Sequence, residues 1–133
     1  MLFRSLTDIE RVIRASWSDQ TCDPVDLEEW SPGSPRGQCA VTALVVQDLF
    51  GGELLLAVVR NADGSRQGVH YWNRLADGVE VDLTREQFTP SEIVQVGRVV
   101  PRPADVTRGR LAPQYQALAT AVRAGLRQAF EST

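Results

Sequence analysis

The chain has 133 residues, a hydrophobic fraction of 43%, a charged fraction of 23% and a net charge of −3. All 14 of its basic residues are Arg, and it carries one His and two Cys. This leaves no Schiff-base lysine and no P-loop lysine, no two-histidine metal site and no four-cysteine zinc or iron–sulfur site. No GxSxG nucleophile elbow is present either. What remains is chemistry built on one Cys, one His and carboxylates. The length and composition are those of a single domain spanning 1–133 with a real core. The acidic balance argues against a nucleic-acid partner. The N-terminal stretch MLFRSLTDIERVIR interrupts its apolar residues with charges, which is not a secretory pattern. No run approaches the roughly 20 apolar residues of a membrane span. The expectation is a cytoplasmic protein with reduced thiols, so a Cys22–Cys39 disulfide is the less favoured state.

The first predicted element is a short amphipathic helix. Thr7 and Glu10 have capping-box spacing, and Ile9, Val12, Ile13 and Trp17 recur at helical period. Residues 18–38 read as a long loop rich in Pro and Gly, with Asp26, Glu28, Glu29 and Trp30, and loops of that length are often functional. Cys39 to Phe50 is apolar on nearly every face, the pattern of a buried helix, and Gly51-Gly52 ends it. Glu53–Arg60 reads as a strand, Asn61–Gly64 as a turn and Gln67–Asn73 as a second strand. The Ala76-Asp77-Gly78 turn leads into a third strand, Val79–Leu83, forming a hairpin, with Asn73 read as the residue that starts the turn. Thr84 and Gln87 again have capping-box spacing and predict a short helical turn. Ile93–Val100 reads as a fourth strand. After a Pro- and Arg-containing connector, Tyr115, Leu118, Ala119, Val122 and Leu126 line one face of a C-terminal helix. The order predicts an α+β fold: a buried helix on an antiparallel sheet, flanked by N- and C-terminal helices.

Cys39 falls in the first turn of the buried helix, where unpaired N–H groups and the helix dipole favour a thiolate. It also reads simply as a small buried hydrophobe. His70, on the second strand, shares face parity with Gly68 and Trp72; it reads either as a structural histidine or as a general base for Cys39. Asp82, on the third strand, can orient the imidazole, with Glu80 a competitor on the same face and Asp77 a turn residue. A hairpin brings cross-strand neighbours within about 5 Å, which suits a His70–Asp82 pairing. Gln38, Trp72, Trp17 and Gln20 are candidates for substrate contacts or the oxyanion hole. The backbone N–H of Cys39 is one oxyanion donor, and the second donor is open. Trp17, Trp30 and Trp72 also suit core filling, Arg36 reads as an anion contact or a solvated loop residue, and Cys22 as a spectator.

Gly37-Gln38-Cys39-Ala40-Val41-Thr42-Ala43-Leu44, Phe50-Gly51-Gly52, His70-Tyr71-Trp72-Asn73 and Asp82-Leu83-Thr84 resemble the small bacterial YunG-like proteins, over roughly residues 15–90. That group's architecture is in turn similar to papain-like and transglutaminase-like cysteine enzymes, in which a Cys starts a central helix and His and Asp or Asn follow on neighbouring strands. The resemblance implies Cys39 as nucleophile, His70 as base and Asp82 as orienting acid. The ordered triad left by the composition points to a thiol hydrolase or acyl transferase that attacks an amide, ester or thioester carbonyl of a peptide-like or other substrate through a thioester intermediate, without cofactor or metal. Many papain-like enzymes place a Gln several residues before the nucleophile, whereas Gln38 here is adjacent to it. A non-catalytic binding or regulatory module that keeps the shape, binding through loop 18–38, is the alternative.

Overall fold

The computed structural model describes residues 5–131, so both ends of the expected domain, residues 1–4 and 132–133, including the start of the N-terminal stretch, lie outside the described residues. Helix α1 runs Leu6–Ser16. Its N-cap is Ser5, whose hydroxyl accepts from the Asp8 N–H at 3.1 Å, two residues earlier than the expected cap at Thr7. Segment 18–38 is not all loop: Pro24–Glu29 forms a 3-10 turn capped by the Asp23 carboxylate. Helix α2 spans Cys39–Phe50 and ends at Gly51, whose φ of 73° suits a residue without a Cβ.

Strands β1 (Glu53–Arg60) and β2 (Arg66–Arg74) pair antiparallel with Leu55 opposite Trp72 and Ala57 opposite His70. The third strand is far shorter than expected: β3 is only Glu80–Val81, paired with Arg74 and Asn73. It ends there because Asp82 turns its carboxylate back onto its own chain, accepting from the Thr84 N–H at 3.2 Å. A 3-10 turn, Arg85–Gln87, follows. The expected fourth strand is two pieces, β4 (Ile93–Val94) and β5 (Arg98–Val100), both paired to the free edge of β1. The interruption includes Gly97, where a Cβ would stand 2.4 Å from Cη2 of Trp72. The tryptophan ring needs that space. Gly97→Ala is therefore expected to cost about 1–3 kcal/mol of stability by displacing Trp72; urea unfolding measures it, and an unchanged midpoint contradicts the contact. Helix α3 (Ala112–Glu131) closes the fold.

The fold is thus α+β, with a five-stranded antiparallel sheet in the order β3-β2-β1-β4 and β5 beside β4 on the β1 edge. One core cluster joins Ile9, Ile13 and Trp17 of the α1 region, Val41, Val45 and Val46 of α2, Val81 and Leu83, and Leu118, Ala119, Val122 and Leu126 of α3. The continuous apolar character of α2 is explained by its position between the sheet and α3. Asn73 does not start a turn: it is buried within β2, and its Nδ2 donates to the Ala43 carbonyl at 2.9 Å, tying the sheet to α2. Arg102 secures the far end of the helix, donating to the Leu44 carbonyl at 3.3 Å and pairing with Asp48 at 2.7 Å. Among the described residues, no helix is long and apolar enough to cross a membrane.

Candidate active site

Cys39 is the first residue of α2, and no side chain caps that terminus. The partial positive charge of the first turn is therefore left to act on the thiol. Segment 18–38 is fastened to this end of the helix. The Asp23 N–H donates to the Gly37 carbonyl at 2.9 Å, closing the segment on itself. Gly37 has a φ of 76°, and a Cβ there would stand 2.6 Å from the Cys22 sulfur, so the close approach depends on glycine.

His70 is 1% exposed. Its Nε2 lies 2.6 Å from Oδ2 of Asp82. The other Asp82 oxygen accepts from the Thr84 N–H and hydroxyl, which fixes the carboxylate. Extending the β2–β3 register by one residue sets Asp82 opposite Trp72 and diagonal to His70, within side-chain reach. Glu80, the competing acid, instead accepts from Trp72 Nε1 at 2.7 Å. Trp72 stacks on His70 with centroids 5.4 Å apart, and Phe88 meets the ring edge-on at 4.7 Å. The imidazole is thus clamped by two aromatic rings and one carboxylate.

With Nε2 committed to Asp82, Nδ1 is the ring nitrogen left for Cys39. Burial opposes a charge on His70, but hydrogen bonds to Asp82 and Cys39, reinforced by the negative charge of both, outweigh it and push the imidazole pKa up to about 9. Burial, and then the same Cys39 charge, raise the pKa of Tyr71. Cys39, Tyr71, Gln87 and Phe88 line a cavity of about 640 Å³, a size that suits a small-molecule or peptide-like ligand. Leu54, Val100, Pro101 and Leu111 make much of its wall apolar.

The structure therefore brings Cys39, His70 and Asp82 together, with Trp72 against the imidazole. It does not bring in the other candidates. Gln38 is 0% exposed; its Oε1 accepts from the Thr21 hydroxyl at 2.6 Å and its Nε2 donates to the Ser18 carbonyl at 3.2 Å. Both ends of that amide hold segment 18–38 to the helix, and Gln38 is not part of the cavity lining. Trp17 is core, and its Nε1 donates to the Thr42 hydroxyl at 3.0 Å. Gln20 is exposed and not part of the cavity lining. Arg36 does line the cavity with Cys39, but its charge is already matched: it pairs with Asp26 at 3.3 Å and Glu92 at 3.5 Å.

A match to the family model described as YunG protein covers residues 5–127. The chain belongs to the YunG family. This YunG family member is 35% identical over 81 residues to the YunG protein of Bacillus subtilis (strain 168), which bears the description "uncharacterized"; the match covers 60% of each chain. The chain thus spans less than two thirds of that relative. No solved structure matches it significantly.

Both thiols of this YunG family member are free. Cys22 is buried; burial and the neighbouring Asp26, Asp23 and Asp19 push its pKa up to about 11, the environment of an inert thiol. Among the described residues no group of His, Cys, Asp and Glu is placed to hold a metal ion. Gln87 escaped the reading of the sequence. Its spacing from Thr84 suggested a cap, but no side chain caps that turn. Instead its Nε2 lies 2.8 Å from Nδ1 of His70.

Proposed function

We propose that the protein is a small thiol hydrolase or acyl transferase acting on an amide, ester or thioester. The observation that carries this reading is the pairing of one thiol, which lines a cavity, with one buried, carboxylate-held imidazole behind it. With the Cys39 proton held on Nδ1 of His70 as a thiolate–imidazolium pair, the thiolate sulfur attacks the substrate carbonyl carbon. The carbonyl π pair moves onto oxygen, where the Cys39 backbone N–H is one donor. As that pair returns, the bond to the leaving amine, alcohol or thiol breaks, and the imidazolium supplies its proton. The acyl group is left as a thioester on Cys39. Water, or a second nucleophile, then attacks that thioester, gives its proton to His70 and releases the product with the thiol restored. Asp82 holds the ring in the tautomer with Nε2–H and supports the imidazolium.

A thiol at the start of a buried helix, with His and then Asp on the following strands, has the element order of papain-like and transglutaminase-like enzymes, and that architecture forms part of the proposal. The reading also places the protein in the cytoplasm, where both cysteines stay reduced. The substrate is peptide-like or another carbonyl compound, and neither nucleic acid nor a membrane has a role.

Acylation of the full chain by p-nitrophenyl acetate tests it. The expected result is an acetyl group on Cys39, seen by peptide mass spectrometry, formed far faster than on Cys22. Cys39→Ala abolishes the fast release of p-nitrophenol, and His70→Ala slows it by about 100-fold or more. A module that keeps only the shape predicts no preference between the two cysteines and no effect of His70→Ala.

A further inference from the structure

We infer that Gln87 supplies the second oxyanion donor, an assignment that rests on the reading of Cys39 and His70 just given. The starting point is a conflict at one atom. Nδ1 of His70 is the nitrogen left for the Cys39 proton, and Nε2 of Gln87 already sits 2.8 Å from it. While the ring is neutral, Nδ1 carries a lone pair and accepts from the amide. Once Nδ1 takes the thiol proton it becomes a donor, and the amide must let go.

The hydrogen count of the amide is informative. Gln87 Nε2 carries two hydrogens; besides Nδ1, its partner is the Thr84 hydroxyl at 3.3 Å. Protonation of the ring thus releases one N–H while the other remains anchored. The N–H is therefore free in the thiolate–imidazolium pair, the state in which negative charge develops on the substrate oxygen. The freed N–H is on the sulfur's side of the ring: Gln87 meets Nδ1, Cys39 hydrogen-bonds to the same imidazole whose Nε2 is held by Asp82, and both residues line the same cavity. A carbonyl approaching Cys39 from the cavity meets the helix N–H and this amide together.

The segment that carries Gln87 is pinned from both sides. Arg14 donates to the Leu83 carbonyl at 2.8 Å and pairs with Glu86. Arg36 donates to the Gln87 carbonyl at 3.4 Å and pairs with Glu92. This explains why so many cations converge on a short 3-10 turn: the backbone of Gln87 is held while its carboxamide remains free to change partner.

The test compares two reactions at the same sulfur in the full chain. Acylation by p-nitrophenyl acetate passes through an oxyanion; alkylation by iodoacetamide, a displacement at saturated carbon, does not. Gln87→Met keeps the length of the side chain and removes both N–H groups. The expected result is acylation slowed by about 100-fold, with alkylation unchanged or slightly faster, because Nδ1 loses a competing donor. Gln87→Ala serves as the second variant if thermal unfolding shows that Gln87→Met does not fold. Equal losses in both reactions would mean that Gln87 only orients His70, and no loss in either would mean that it has no part; both overturn the assignment. If wild-type Cys39 resists acylation, or His70→Ala leaves both rates intact, the underlying site reading fails instead and takes this one with it.

Discussion

Asp82→Ala is expected to slow iodoacetamide alkylation of Cys39 at neutral pH by at least 10-fold while the chain still folds. The carboxylate is the strongest polar partner of the imidazole, at 2.6 Å, and it raises the His70 pKa against the opposing effect of burial. Without it the buried ring binds a proton less tightly and is a weaker base for the thiol. The Nε2–H of a ring that is 1% exposed is also left without its acceptor. An unmatched buried donor costs about 1–3 kcal/mol, so the unfolding midpoint falls as well. Asp82→Asn separates the two effects: it keeps an acceptor oxygen, recovers much of the stability and does not recover the rate. Glu80→Ala provides the contrast, since Glu80 holds Trp72 and not His70, and it leaves alkylation nearly unchanged. Wild-type rates in Asp82→Ala would contradict the assignment of Asp82.

The second expected result concerns stability and pH. The folded-state pKa of His70 is about 9, above the ordinary value of 6.5 that the unfolded chain shows. A group with a raised folded pKa binds its proton more tightly in the native state. Its stabilisation is therefore complete below pH 6.5, declines as pH rises and is gone above about 9. The shift corresponds to about 3 kcal/mol at most. Urea unfolding of the wild type and of His70→Gln, measured across that window, isolates the term. The gap in stability between them is expected to narrow steadily from pH 6.5 to about 9. A gap that stays constant contradicts a charged His70 at neutral pH.

Much of the fold follows from patterns that one sequence can carry. Helix α2 is legible because an apolar run of its length, bounded by Gly37 and Gly51-Gly52, fits nothing but a buried element. The β2–β3 hairpin is legible from the Asp77-Gly78 turn, where Asp77 accepts from the Val79 N–H at 3.0 Å and Gly78 takes a φ of 89°. That hairpin, with alternation along each strand, is enough to set His70 and Asp82 side by side. The expected pieces that changed are those where a side chain competes with the backbone ladder. Asp82 bonds its own chain and cuts β3 short. Trp72 occupies the space over Gly97 and divides the last strand.

The residues whose roles differ share a feature: they are polar, and their partners are distant in sequence. Gln38 looked available because it adjoins Cys39, but its amide is satisfied by Thr21 and Ser18 across the segment that folds back on the helix. Asn73 looked like a turn residue because of its type, but its partner is a carbonyl on α2, 30 positions away. Gln87 looked like a cap because it follows Thr84 by three, but its amide points at His70. Local spacing tests a residue only against its neighbours, whereas a buried polar group is decided by whichever partner the tertiary fold delivers. The proximity of Cys39, His70 and Asp82 is easier to read, because composition reduces the choice to one histidine and two cysteines and the hairpin limits the acid to the adjoining strand.

The central claim is that Cys39 and His70 share a proton, and the single histidine allows it to be measured without assignment ambiguity. Titration of the His70 imidazole by NMR reads it directly. The expected outcome is a wild-type pKa near 9 that drops clearly in Cys39→Ala, because the thiol contributes both a hydrogen bond and a negative charge to that value. A wild-type ring that titrates at its ordinary 6.5, with the same value in Cys39→Ala, would contradict the pairing.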